Sequence, residues 1–373
     1  MTDPARPTTT RSRRGLPWTG VFLLVFVGIS AFSGLRLSMA PTEPPGRWVE
    51  VWSRSARTRQ VVASQQGPVA LEVGPDGQAT LAWLDLAGQS GGRVPAGTAW
   101  DHLSLRFSGR LLAVVDSGRQ ILQTYLRPGP PRWERSLNYE IDGWTTTDRH
   151  ILIWGRLGTA GIVELWESGG QLLWHLTDSR WVATAGVLLG EDVIIARFSP
   201  SGESELVALE PEGNTLWRLP LGTRLVTALV GNADRVAAAV PEGLQVISGT
   251  GQRLRLIRLE GQVRTVVPAG EGFAVLTGDR ERRVYQVSDS GRASRLMGGR
   301  ELQLQGLDEG AFIVFSQDES LLFLDGARRP DALPASAAGL AALWRDQSGR
   351  PVLLILGDQS YHLHLYRREE TGP

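Results

Sequence analysis

Two patterns of apolar positions divide this chain of 373 residues. The first is a single stretch without a charge, LPWTGVFLLVFVGISAFSGL, from Leu16 to Leu35. At about 1.5 Å per residue it would span about 30 Å, the thickness of a bilayer hydrocarbon core. It predicts one transmembrane helix over 16–35, with Leu16 and Leu35 at its limits and Trp18 where an interfacial aromatic anchor belongs. Arg6, Arg11, Arg13 and Arg14 precede the stretch, and only Arg36 follows it closely. The positive-inside rule therefore places residues 1–15 in the cytoplasm and the rest of the chain beyond the membrane. A cleaved signal peptide would have a shorter apolar region ending in a small-x-small site. Ser38-Met39-Ala40 offers such a site, but Pro41 obstructs it, so the helix is read as an uncleaved signal anchor. Ser12-Arg13-Arg14-Gly15-Leu16 matches a twin-arginine signal only in part, because Pro17 takes an apolar place. A Pro-rich linker, 36–47, follows.

The second pattern is period-two alternation broken by glycine-containing polar turns, which predicts strands and hairpins. It repeats. Ile162–Trp174 and Leu206–Trp217 are the clearest copies of an alternating strand, a polar turn and a second strand ending in tryptophan. The turn glycines Gly88, Gly129, Gly170, Gly213, Gly251 and Gly291 are 41, 41, 43, 38 and 40 residues apart. A period near 40 is the length of a four-stranded propeller blade. Val69–Val73, Val193–Phe198 and Phe312–Phe315 predict second strands, and Arg224–Val230 and Gln262–Val267 predict the looser first strands. Third strands are predicted near 80, 121, 162, 206, 244, 284, 321 and 361. The expected fold is all-β: a β-propeller over 48–367 with eight blades, or seven if one weak repeat decorates a blade. The last repeat lacks an outer strand, and Trp48–Trp52 is a strand without a blade. Pairing Trp48–Trp52 with Tyr361–Tyr366 would close the ring and remove a free edge. Residues 368–373 are left as a polar tail. No amphipathic helical pattern appears beyond the anchor, which excludes a βαβ organisation.

Composition narrows the function. The 39 basic and 39 acidic residues balance, so there is no global field to gather nucleic acid. The absence of cysteine excludes disulfides, thiolate metal sites, a thiol nucleophile and a lipidated cysteine. Every basic residue is arginine, a bias that suits a GC-rich, heat-adapted source.

The segments Leu-Trp-Glu-Ser-Gly-Gly-Gln-Leu-Leu-Trp-His-Leu (165–176) and Leu-Glu-Pro-Glu-Gly-Asn-Thr-Leu-Trp-Arg-Leu (209–219) resemble the repeat of bacterial quinoprotein-like propellers. In that family the strand-ending tryptophan packs between neighbouring blades. The resemblance covers roughly 47–367 and implies a propeller. The family holds quinone-dependent dehydrogenases as well as a membrane-assembly scaffold. The dehydrogenases usually carry adjacent cysteines and a Ca²⁺ site of acidic and amide groups; this chain has no cysteine and shows no matching acidic cluster. The resemblance therefore implies a non-enzymatic, membrane-anchored branch.

The candidate residues fit that expectation. Trp133, Trp174 and Trp217 recur at one repeat position and are read as structural wedges. Gly88-Gln89-Ser90-Gly91-Gly92 matches G-x-S-x-G, but it lies on a hairpin, not at a strand-to-helix elbow. His362 and His364 share a strand face without a nameable third metal ligand. Asp76, Glu210, Asp289 and Asp325 read as turn formers, and Asp279–Arg283 as a solvated hairpin of mixed sign. No catalytic residue, cofactor or metal is expected. The expected partners are the lipid bilayer, through the helix, and an envelope protein or peptide. The alternatives are a sensory ectodomain signalling through a partner and a quinone-dependent oxidoreductase.

Overall fold

The computed structural model describes residues 47–369, apart from 56, 65–66, 98–99, 109, 308–309, 317–319, 325–329, 334–336, 347, 349 and 358–361. The predicted span with Leu16, Trp18 and Leu35 lies outside these residues, as do Tyr361 and Asp325. Among the described residues no helix is long and apolar enough to cross a membrane.

The described chain forms eight four-stranded antiparallel sheets. Blades 1 to 7 span 58–97, 103–136, 140–178, 182–222, 228–257, 263–299 and 303–333. Strands a to d of each follow chain order. Blade 8 takes its first three strands from 337–369 and its fourth from Arg47–Ser55. Each a strand contacts the a strands of both neighbouring blades, and the circle closes from blade 8 to blade 1. The third strands begin at 79, 121, 160, 204, 243, 282, 320 and 362, each within two residues of its predicted start.

The packing follows from the alternation. The b strands lie between neighbouring blades and are buried on both faces, as in Leu111–Asp116. The outer d strands alternate, as in Ser90–Gly97. The apolar side chains gather into eight layers, one at each junction between blades. The layer between blades 1 and 2, for instance, joins Leu71 and Leu81 to Leu105 and Leu112. The core is thus a ring of interfaces, and each blade depends on both neighbours.

The c–d hairpin repeats one turn in blades 1, 3, 4, 5 and 6. In blade 4, Gly213 N–H donates to the Glu210 carbonyl, and Glu210 N–H donates to the Asn214 carbonyl. Gly213 has φ +89°, a left-handed conformation that closes a type I turn and bulge. Asp85, Glu167, Ser248 and Ser288 open the same turn in the other blades.

Arg47–Ser55 pairs antiparallel with His362–Glu369, matching Trp48 with Arg368, Glu50 with Tyr366 and Trp52 with Leu365. The last strand runs to Glu369, past the expected boundary at 367. One inner strand also differs: Ala228–Asn232 replaces the expected Arg224–Val230. Val226 is fully buried in the layer between blades 4 and 5 while still in the connecting loop, and its carbonyl accepts the Thr184 hydroxyl at 2.9 Å. The apolar pair that suggests a strand there, Leu225 and Val226, lies in a loop, with Leu225 exposed and only Val226 buried.

Candidate functional site

The turn glycines set a register for the junctions. Four residues after each comes a d-strand residue facing the next blade's turn: Gly92, Trp133, Trp174, Trp217 and Arg255 in blades 1 to 5. In blades 1, 3, 4 and 5 the d strand bulges one residue earlier, at Gly91, Leu173, Leu216 and Leu254. Such a bulge re-aims the side chain that follows it.

The three predicted wedge tryptophans occupy this register. Trp133 lies against Gly170, donates its indole N–H to the Ser168 carbonyl at 2.9 Å, and stacks on Trp166. Trp217 lies against Gly251 and donates to the Gly249 carbonyl at 2.8 Å. Trp174 lies against Gly213, but its buried indole nitrogen has no hydrogen-bond partner among the described residues. The corresponding carbonyl there belongs to Pro211. At the neighbouring registers Arg255 covers Gly291, and Pro128 fills the space beside Gly92.

The junction with the unpaired indole also carries an open cleft of about 650 Å³. Arg149, His150, Glu167, Ser168 and Leu173 of blade 3 line it, with Glu191, Pro211 and Glu212 of blade 4. These residues belong to the a–b and c–d turns and the strand ends beside them, so the cleft opens on the face where those turns lie. Three carboxylates face one guanidinium, and Arg149 is paired with Glu191. Beside the cleft, burial and then Glu210 and Glu191 hold the Asp192 carboxyl above its ordinary range. His150 is 7% exposed, and its Nδ1 has no partner among the described residues. The cleft is thus an acidic rim over a buried imidazole.

The opposite face, where the d–a and b–c loops lie, is laced with ion pairs. Arg156 binds Asp142, Arg197 binds Glu205 at 2.5 Å and covers Trp181, and Arg224 binds Glu242. The mixed charge run falls on this face: Arg264 pairs with Asp279, and Arg283 with Glu260 and Glu281.

The remaining candidates fall into local structure. Ser90 opens an outer strand and donates to the Gly92 carbonyl at 3.2 Å. His364 Nδ1 lies 3.0 Å from Glu50 of the facing strand. Asp76 accepts from Gln78 N–H, Glu210 from the Asn214 amide, and Asp289 from Ser290 N–H. Among the described residues, no three of His, Asp and Glu are placed to hold a metal ion. At the ring closure, Trp48 is buried and donates to the Asp331 carboxylate at 3.0 Å, while Tyr366 is pushed up to about 12 by burial and then Glu50.

Sequence reading missed two features. Gln60 and Gln305 each clamp the next blade with a paired amide, to Leu105 N–H and C=O and to Ala341 N–H and C=O. They sit in the two repeats that flank the closing blade and share no motif beyond Gln on an inner strand. The cleft was missed because its residues come from four separate turns. The available signal was the acidic pair Glu210 and Glu212 in the blade 4 turn, with Glu167 at the position matching Glu210 in blade 3.

These features define a closed, eight-bladed β-propeller of four-stranded sheets. No family model matches the sequence, and no curated protein sequence does. Solved structures match it in fold. BamB from Moraxella catarrhalis does so with TM-score 0.56 and 13% identity, over 86% of this chain and 100% of its own. Sqt1 from Saccharomyces cerevisiae gives TM-score 0.60 and 13% identity, over 88% of this chain and 100% of its own. The WD40 domain of Neurospora crassa Pan2 gives 0.50 and 10%, over 72% and 89%. With 863 solved chains alike, the likeness is one of fold.

Proposed function

We propose that this chain is a membrane-anchored scaffold of the cell envelope, whose propeller binds a protein or peptide partner outside the cytoplasm. In this reading the helix over 16–35 anchors it, residues 1–15 stay in the cytoplasm, and the repeats belong to the non-enzymatic branch of the quinoprotein-like propellers. The observation that carries partner binding is the cleft between blades 3 and 4. There a repeat that closes its other tryptophan junctions with an indole hydrogen bond leaves the indole without a partner among the described residues, beside an open groove. Concave sites with a few convergent polar groups are where ligands bind.

A chain without cysteine suits site-directed crosslinking. Asn214→Cys places one thiol on the exposed turn next to the cleft. With a thiol-linked photocrosslinker on intact cells, the expected result is a discrete adduct with one envelope protein. Absence of any adduct, or adducts with cytoplasmic proteins alone, would overturn the reading. An adduct with a transmembrane regulator would recast the scaffold as a sensory ectodomain. Quinone and Ca²⁺ binding, seen by absorbance, would replace it with an oxidoreductase.

A further inference from the structure

We propose that the cleft between blades 3 and 4 binds a basic side chain, arginine or lysine, of a protein partner. This rests on the partner-binding reading and names the chemistry of its site. The first ground is charge. Glu167, Glu191 and Glu212 line the cleft against Arg149 alone, so the lining carries an excess of negative charge. The carboxylates are exposed, the geometry in which an incoming cation is attracted yet exchangeable. The Arg149–Glu191 pair shows that a guanidinium fits against this rim. An acidic segment would meet like charges, and an apolar one would find only Leu173 and Pro211.

The second ground is independent of charge. His150 lines the cleft from a buried position, with an Nδ1 that has no partner among the described residues. A buried polar atom without a partner is unusual in a native fold and calls for an explanation, which a donor entering the cleft supplies. An imidazole nitrogen free of a proton accepts from a guanidinium or ammonium N–H. One basic residue of a partner carries such donors at the end of a long side chain. The volume of about 650 Å³ accommodates such a side chain and its flanking backbone.

The test uses the full chain in detergent and three short fluorescent peptides of one Gly/Ser sequence bearing Arg, Gln or Glu at the same positions. Fluorescence anisotropy should rank them Arg, then Gln, then Glu, and added salt should weaken the Arg peptide most. Glu167→Gln and Glu212→Gln should each weaken the Arg peptide roughly fivefold. The proposal falls if the Arg peptide binds no better than the Gln peptide. It also falls if the double variant, with an unchanged thermal midpoint, binds the Arg peptide like wild type. The crosslinking above separates the two readings. A partner captured by Asn214→Cys with equal yield in the double-Gln background overturns the basic-residue site and leaves partner binding standing. A charge-dependent Arg peptide with no adduct in cells supports the site and overturns the scaffold.

Discussion

The junctions of the middle blades and the junction that closes the ring solve one problem with different chemistry. Between blades 2 and 3 and between blades 4 and 5, a tryptophan reaches forward from an outer strand onto the next turn's glycine and donates to a carbonyl of that turn. At the closure the direction reverses. Trp48, in the outer strand supplied by the N-terminal segment, reaches back to the carboxylate of Asp331 in blade 7. Arg368, from the C-terminal strand of blade 8, lies 3.4 Å from that carboxylate. Asp331 therefore holds both ends of the described chain through one buried group. A repeating junction meets its neighbour at the backbone, which every repeat possesses. The closure is made once and uses side chains present once.

The largest effect should come from the closure. Trp48→Ala removes a buried indole and leaves Asp331 without that donor, so urea denaturation should show a loss of about 3–5 kcal/mol. Trp48→Phe keeps most of the apolar burial and should cost about 1–3 kcal/mol. If Trp48→Phe costs nothing, the hydrogen bond to Asp331 adds nothing to the closure.

Next come the glycines on which the wedges stand. Gly251 has φ +82°, and an added Cβ would lie 2.6 Å from the Trp217 ring. Gly202, with φ +87°, would meet nothing within 4 Å. Gly202→Ala should cost about 1–2 kcal/mol for the left-handed backbone alone. Gly251→Ala should cost that and about 1–3 kcal/mol more for overpacking. Equal thermal shifts would show that the tryptophan gives way without penalty.

The third comparison lies within the wedges. Trp217→Phe forfeits a hydrogen bond to the Gly249 carbonyl, whereas Trp174→Phe forfeits none among the described residues. Trp217→Phe should therefore be the more destabilising by about 1 kcal/mol. If the two cost the same, the unpaired indole of Trp174 has lost its distinction.

Much of this architecture could be read from the chain because it is periodic. The turn glycines fall near a 40-residue spacing because the c–d hairpins of blades 1, 3, 4, 5 and 6 need a left-handed residue at one place. That constraint marks the third strands to within two residues. The pairing of Trp48–Trp52 with the last strand could be read because one repeat was short by a strand and one strand had no repeat. The register in which Trp174 behaves unlike Trp133 and Trp217 could not be read. The three share a position four residues after a turn glycine, and Trp174 is set apart by how the following turn presents its carbonyl. The cleft escaped for a related reason: its charge excess arises where turns from two blades meet, and neither turn is unusual alone. The inner-strand clamps of Gln60 and Gln305 were equally silent, since a glutamine on a strand announces nothing about the backbone it faces.

The smallest effect tests the field at that exceptional junction. Burial, then Glu210 and Glu191, raise the Asp192 carboxyl above its ordinary value of 3.8. A carboxyl raised by folding binds its proton more tightly in the native state, so the fold is penalised wherever Asp192 is ionised. The penalty is absent below 3.8, grows as pH rises from there through the raised value, and is fully present above it. Asp192→Asn should therefore be slightly more stable than wild type near neutral pH, with the gap closing on acidification below 3.8. Glu210→Gln should narrow the same gap by removing one source of the field while leaving the burial of Asp192 in place. Denaturation midpoints across that range decide the matter. A gap that does not close on acidification would mean that the asparagine acts through packing, and the acidic field between blades 3 and 4 would lose its thermodynamic mark.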